Sequence, residues 1–167
     1  MQTIKTAAGA LGFALAATLI VAAQAGTGQS TASPHAMFTP DTVKWGAAPP
    51  SLPPGAQASV LSGDPSKAGL FVIRLKFPDG YSVPPHSHPT DEHVLVVAGT
   101  LMAGMGDKRV ESSMHALPAG GYVNMTKGTN HYVRAKGETI VHVTAMGPFE
   151  ITYANPSDDP RKKSVQK

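Results

Sequence analysis

The sequence predicts an all-β protein with one folded domain, an antiparallel sandwich or barrel. Three observations predict it. Glycine (17) and proline (15) fill about a fifth of the 167 positions, well above average usage. Both are hard to place inside helices and common at turns. Short apolar segments recur between turn signals, some alternating with a period of two, as half-buried strands do. After the first 25 residues no stretch keeps helical periodicity over ten residues, and no internal repeat is present. Only 15% of residues are charged, which excludes a coiled coil or a highly charged disordered chain. The absence of cysteine excludes a disulfide scaffold, a thiolate zinc site, an iron–sulfur cluster and a cysteine nucleophile.

Residues 1–25 read as a secretory leader. Lys5 supplies the positive start, Ala7 to Ala23 is uncharged and apolar, and Ala23-Gln24-Ala25 fits a small-x-small cleavage site. The alternative is an uncleaved anchor. A spanning helix needs about 20 strongly apolar residues, and Ala and Gly dilute this run. No later segment could span a membrane. Cleavage near Ala25 leaves a chain beginning near Gly26, and such a leader points to export into a bacterial periplasm. Without Cys the chain is not a lipoprotein. Losing Lys5 takes the formal charge from +3 to +2. Residues 26–55 read as a flexible start (Gly26 to Ser33), a first ordered candidate expected to be the first strand (His35 to Trp45) and a Pro-rich connector (Ala47 to Gly55).

Residues 56–153 are the expected ordered domain. Leu70 to Phe77 alternates, with Phe71, Ile73, Leu75 and Phe77 on one side and Arg74 and Lys76 on the other. Pro78-Asp79-Gly80 is a turn. Glu92 to Ala98 is apolar and β-branched. Gly99 to Met105 continues it, and Gly106-Asp107 reads as a hairpin turn before Lys108 to Met114. Gly121 to Met125, His131 to Arg134, Thr139 to Met146 and Phe149 to Tyr153 complete the strands. Residues 154–167 read as a frayed basic tail, with Arg161-Lys162-Lys163 and Lys167 after two prolines. No basic stripe interleaved with aromatics is present, so nucleic acid is not an expected partner. A chain of this size buries enough surface to fold without a metal, so a metal here would be functional.

The chemistry is concentrated between Gly80 and Gly99. His86 and His88 are two apart, and in extended backbone such residues share a face about 6.6 Å apart, close enough for both imidazoles to lean onto one ion. Pro84, Pro85 and Pro89 keep the backbone around them extended. Glu92 heads an apolar strand, where an unpaired carboxylate is costly. A divalent cation held by the histidines would offset that cost. His131 follows a turn at Gly128-Thr129-Asn130.

Gly80, His86, His88, Glu92 and Gly99 resemble the first motif of the cupin superfamily, G(x)5HxH(x)3E(x)6G, at every defined position. Gly120, Thr126, Gly128, His131 and Ala135 resemble the second motif, G(x)5PxG(x)2H(x)3N, with Thr126 in place of proline and Ala135 in place of asparagine. The resemblance covers residues 56–153 and implies a single-domain, jelly-roll-like antiparallel cupin β-barrel with one internal metal. It implies His86, His88, Glu92 and His131 as ligands. Three imidazoles and a carboxylate suit Fe, Mn, Ni, Zn, Co or Cu as divalent ions, and affinity should fall below about pH 6 as the imidazoles protonate. Cupins include dioxygenases, isomerases, decarboxylases and lyases. The expected activity is therefore metal-dependent chemistry on a small polar molecule, and the alternative is a non-catalytic binding or sensing cupin. Cupins often pair through sheet edges and a leading strand, which admits a homodimer.

The other histidines are weighed by register. If Lys136-Gly137 is a hairpin turn, His142 lies directly across from His131 and shares its face. His142 is then a candidate catalytic residue inside the barrel, orienting substrate or moving a proton, or else a hydrogen-bonded core histidine. His93 should face away from Glu92, and His35 and His115 are expected to be exposed or structural. Tyr81, Tyr132 and Arg134 could hold a polar substrate, although Arg134 has the outward parity. Met102, Met105, Met114, Met125 and Met146 could line an apolar pocket or pack the core, and Trp45 is expected in the core or a dimer contact.

Overall fold

The computed structural model describes residues 35–163. The leader, its cleavage site and the start of the 26–55 segment lie outside the described residues. The described strands are β1 (Gly46–Ala47), β2 (Gln57–Ser62), β3 (Gly69–Phe77), β4 (Ser82–Ser87), β5 (Glu92–Met105), β6 (His115–Pro118), β7 (Tyr122–Met125), β8 (His131–Gly147) and β9 (Thr152–Tyr153), followed by a single helical turn α1 (Pro160–Lys163). Every strand pairing is antiparallel.

Two long strands, β5 and β8, organise the barrel. The later half of β8 pairs with β3 from Gly69↔Gly147 to Phe77↔Thr139, and with the first half of β5 at Val94↔Val143 and Val96↔Val141. Its earlier half pairs with β4 through Val83↔Val133 and His86↔His131, and with the second half of β5 through Leu101↔Ala135 and Met105↔His131. One pair of strands thus belongs to two sheet faces. The change of direction falls at Gly99 and Gly137, with φ of 74° and 72°, a region open to glycine at little steric cost. A Cβ on Gly99 would lie 2.2 Å from the Glu138 carbonyl oxygen, so the two strands can touch there only if residue 99 lacks a side chain.

The core follows the alternation. Phe71, Ile73, Leu75 and Phe77 of β3 are buried against Val141, Val143 and Ala145 of β8 and Val94 and Val96 of β5. Fully burying a side chain such as Phe or Val contributes about 1.5–3 kcal/mol. Their sequence neighbours Arg74, Leu95 and His142 are not buried.

Three expectations are corrected. His35 to Trp45 forms no strand; the first ladder is β1 on β2, and Trp45 lies under the Lys76 ammonium at 4.6 Å. Lys108 to Met114 does not pair back in a tight hairpin. The partner of β5 is β6, in register Ala103↔His115, and the longer loop folds over Tyr132. The Tyr132 ring occupies the space above Gly104, where a Cβ would be 2.4 Å away, and its hydroxyl accepts from the Val110 amide at 3.1 Å. Burying that ring requires a cover, which the loop supplies. Third, the tail is ordered through α1. The Arg161 guanidinium donates to both oxygens of Asp159 and to the Ile151 carbonyl, fastening the segment to the barrel. Residues 164–167 lie outside the described residues. No helix among the described residues is long and apolar enough to cross a membrane.

Candidate metal centre

His86 is near the end of β4, His88 lies just past it, and Glu92 and His131 open β5 and β8. Pairing of His86 with His131 brings two histidines side by side, with ring centroids 4.3 Å apart. The turn preceding His131 is closed by Thr129 N–H to the Thr126 carbonyl at 3.0 Å and tied to His88 by Gly128 N–H to its carbonyl at 2.9 Å. The Lys127 amide also donates to Asp91 at 2.8 Å. The threonine at the motif's proline position therefore leaves the turn intact.

All four side chains are buried, and one nitrogen from each of the three imidazoles lies within 4.8 Å of the others. Each ring also meets a backbone carbonyl through Nδ1. The contacts are His86 to Pro84 at 2.7 Å, His88 to Glu150 at 2.7 Å and His131 to Thr129 at 3.1 Å. A carbonyl can only accept, so each Nδ1 carries the hydrogen. In the neutral rings the Nε2 lone pairs are left for the interior, as metal-ligating histidines commonly arrange them.

The consequence is a cluster of acceptors. The Nε2 atoms of His88 and His131 are buried without a hydrogen-bond partner, yet they stand 3.5 and 3.3 Å from the same Glu92 oxygen. Lone pairs facing a carboxylate in a dry interior repel unless positive charge lies between them. Burial and the neighbouring imidazoles of His131 and His88 push His86 down to about 3, which keeps that ring neutral. Burial pushes the Glu92 carboxyl up, and the His131 and His88 imidazoles outweigh it, holding the group below the usual carboxylate range. A divalent cation satisfies all four groups at once, so the residues present fit the expected ligand set.

The centre opens on a cavity of about 160 Å³. Its wall comes from the inward faces of β3, β5 and β8, from Phe149 and Ile151, and from the Pro-rich connector at Pro49, Ser51 and Leu52. Phe149 stacks on His88 at 4.2 Å. Two tyrosines fasten the connector: Tyr81 donates to the Pro53 carbonyl at 2.6 Å and Tyr153 to the Ser51 carbonyl at 2.7 Å. Burial raises both hydroxyls, with Asp159 adding to the effect at Tyr153, which is pushed up to about 12. They therefore stay protonated donors.

The remaining expected site residues are elsewhere. His142 is not in the cavity. It pairs with Arg74 and Leu95 on the outer face, and its Nε2 accepts from Arg74 Nε at 2.8 Å. The cause is register. Lys136-Gly137 bends a continuous strand and makes no hairpin, so even-numbered residues of β8 stay outside. Tyr132 is buried under the loop, Arg134 faces Glu111 at 3.5 Å, and Tyr81 is committed to the connector. None of the five methionines lines the cavity; Met125 is core, while Met105 and Met146 are exposed. His93 faces outward as expected, its Nδ1 2.6 Å from the Tyr122 hydroxyl. The wall is apolar, where a site for a small polar molecule was expected. The contributions of the connector and Phe149 were missed. The one available signal was Leu52, an apolar residue isolated among prolines.

Among curated proteins none matches the chain. Solved structures share its architecture at low identity. The polyketide cyclase RemF of Streptomyces resistomycificus has a TM-score of 0.58 and 16% identity, over 78% of this chain and 92% of that one. A putative acetylacetone dioxygenase of Methylibium petroleiphilum has a TM-score of 0.57 and 18% identity, over 74% and 84%. An RmlC-like cupin of Shewanella frigidimarina has a TM-score of 0.53 and 17% identity, over 68% and 91%. These likenesses establish the cupin fold, and residues 37–163 match the family model described as a domain of unknown function, DUF4437. The chain accordingly belongs to the DUF4437 family and folds as a cupin.

Proposed function

We propose that the protein is an exported, periplasmic cupin that binds one divalent transition metal through His86, His88, Glu92 and His131 and uses it in chemistry on a small molecule, of oxygenase, isomerase or lyase type. The observation that carries the reading is the convergence of buried acceptors. Two imidazole nitrogens without hydrogen-bond partners face one carboxylate oxygen at 3.3 and 3.5 Å. Such an arrangement costs free energy until a cation occupies it. The leader at residues 1–25 supports export.

A bound ion of the Fe, Mn, Ni, Zn, Co or Cu series supplies Lewis acidity to an oxygen atom placed against it. The chain's own residues do the rest. The carbonyls of Pro84, Glu150 and Thr129 fix ring orientation and tautomer. Phe149 and the β3, β5 and β8 side chains exclude water from the imidazoles. Glu92 brings a negative charge that lowers the net charge of the occupied site.

A specific observation favours a second reading, a binding or sensing protein without turnover. Among the described residues, no titratable side chain apart from the four candidate ligands lies on the cavity wall, so none of them stands there as an independent general acid or base. Elemental analysis of protein purified from the periplasm, with His86→Ala beside it, tests the metal reading. Near-stoichiometric metal, lost in a folded variant, is expected; retention in the variant sinks it. A metal-loaded protein that binds small molecules and returns them unchanged would favour the second reading over catalysis.

A further inference from the structure

The cavity beside the imidazoles is almost wholly apolar, and its composition restricts what can enter. We propose that the site takes a small ligand with one oxygen-bearing head at the imidazole cluster and a compact apolar body of hydrocarbon character. Sugars and molecules with a second charged group are excluded. The inference rests on the metal reading above and names the ligand class for that site.

The argument begins with the wall. Ile73, Leu75, Val94, Val141 and Val143 present only aliphatic carbon, and Phe77 and Phe149 add aromatic surface. Among the described residues, apart from the candidate ligands, Ser51 is the one residue on the wall with a polar side chain, a single uncharged hydroxyl. Among the described residues, no lysine or arginine lines the cavity. A hydroxyl-rich ligand would leave most of its groups unpaired in this interior, and a second carboxylate or phosphate would be desolvated with no cation to meet it. Both are disfavoured strongly enough to decide specificity, because rejection by unpaired buried polar groups is steeper than rejection by a missing methylene.

Size follows from volume. A cavity of about 160 Å³ is close to an engineered apolar cavity of about 150 Å³ that admits benzene. The ligand, head included, therefore has about six to eight non-hydrogen atoms. A negatively charged head is compatible, since three neutral imidazoles and one carboxylate leave a divalent ion with excess positive charge. Charge elsewhere on the ligand is not.

The test uses the full chain loaded with Zn(II), its uptake checked first by elemental analysis. The probes are straight-chain hydroxamates from acetohydroxamate to octanohydroxamate, titrated by calorimetry. Affinity should rise by about fourfold per added methylene, stop rising near butano- to pentanohydroxamate, and be at least tenfold weaker for succinic monohydroxamate than for pentanohydroxamate. In Leu75→Val, which removes one methylene from the wall, the stopping point should move one carbon longer. Affinity that ignores chain length, a carboxylate-ended probe that binds equally well, or an unmoved stopping point would overturn the proposal. A metal-free arm separates the two readings. Benzene added to the metal-free chain should give saturable NMR shifts of the Ile73, Val94 and Val143 methyls. If zinc is not taken up, the metal reading falls and the benzene arm decides alone: saturable shifts keep the apolar class, and their absence overturns it.

Discussion

The two halves of β8 have the same backbone and opposite uses for a histidine. Before Gly137, His131 points inward, is 2% exposed, and converges with His86 and His88. After Gly137, His142 points outward and accepts a hydrogen bond from Arg74. Inward positions keep odd parity through the bend: His131 and Ala135 before it, Thr139, Val141, Val143 and Ala145 after it. The difference teaches that a glycine with positive φ can redirect a strand from one sheet face to another without exchanging its faces. A hairpin at the same dipeptide would have placed His142 opposite His131. A bend leaves the two eleven residues apart on one strand, and an odd separation puts them on opposite sides.

The sharpest way to break this comparison is to remove each histidine. His131→Ala should weaken metal affinity by more than about a hundredfold, since loss of even an outer partner of a ligand costs 10–100-fold. His142→Ala should leave affinity within about twofold, as independent sites do. Chelator competition on the purified variants measures both. Equal losses would mean that His142 reaches the centre and that the two halves are not distinct.

Acid is the next largest test. His86 and His142 both titrate below the ordinary histidine value, His86 at about 3, from burial first and its imidazole neighbours next, and His142 from burial and then the Arg74 charge. In the metal-free chain the unfolded state takes up protons first as pH falls through about 6.5. The stability associated with neutral His86 is therefore full above that pH and lost progressively down to about 3, by up to about 1.4 kcal/mol per pH unit. Urea midpoints of the metal-free chain should fall from pH 7 towards pH 4, and His86→Gln should flatten the slope, whereas His142→Gln should change it far less. An unchanged slope in His86→Gln would place the acid sensitivity elsewhere.

The bend itself comes third. Gly99 and Gly137 share a positive φ, but only Gly99 is crowded; nothing lies within 4 Å of a Cβ on Gly137. Gly137→Ala should therefore cost only the left-handed penalty, about 1–2 kcal/mol. Gly99→Ala adds overpacking against Glu138 and Thr139, for about 2–5 kcal/mol in all. Denaturant unfolding of the two variants ranks them, and the reverse order would contradict the close approach of β5 and β8.

The same contrast explains what was legible in the sequence. Phe71, Ile73, Leu75 and Phe77 could be read because burial on one face leaves a period-two record. His86, His88, Glu92 and His131 could be read because the ligand-spacing pattern is local except for one partner. The face of His142 could not, because Lys136-Gly137 has the composition of a hairpin turn and of a strand bend alike; only the pairing of β8 with β3, some 70 residues earlier, decides between them. The ordered end at α1 was hidden for a related reason. Asp159 and Ile151 hold Arg161 in place, and a run of basic residues does not announce such partners. Nor does the connector announce its role, since prolines dictate extension without saying what they lie against.

The smallest expected effect concerns the outer pair alone. Arg74 Nε donates to His142 Nε2 at 2.8 Å, so the neutral imidazole carries its hydrogen on Nδ1 and protonation of Nε2 would break the contact. After burial, the Arg74 charge is the second cause of the lowered His142 value. Arg74→Met removes that charge, so the His142 titration followed by NMR should move up in pH. The pair is partly exposed, and its loss should cost about 0.5–1.5 kcal/mol, the scale of one net hydrogen bond. Zinc uptake should not change, because the contact lies on the face opposite the centre. A downward move of the titration, or zinc lost with Arg74→Met, would show that the outer half of β8 communicates with the inner one.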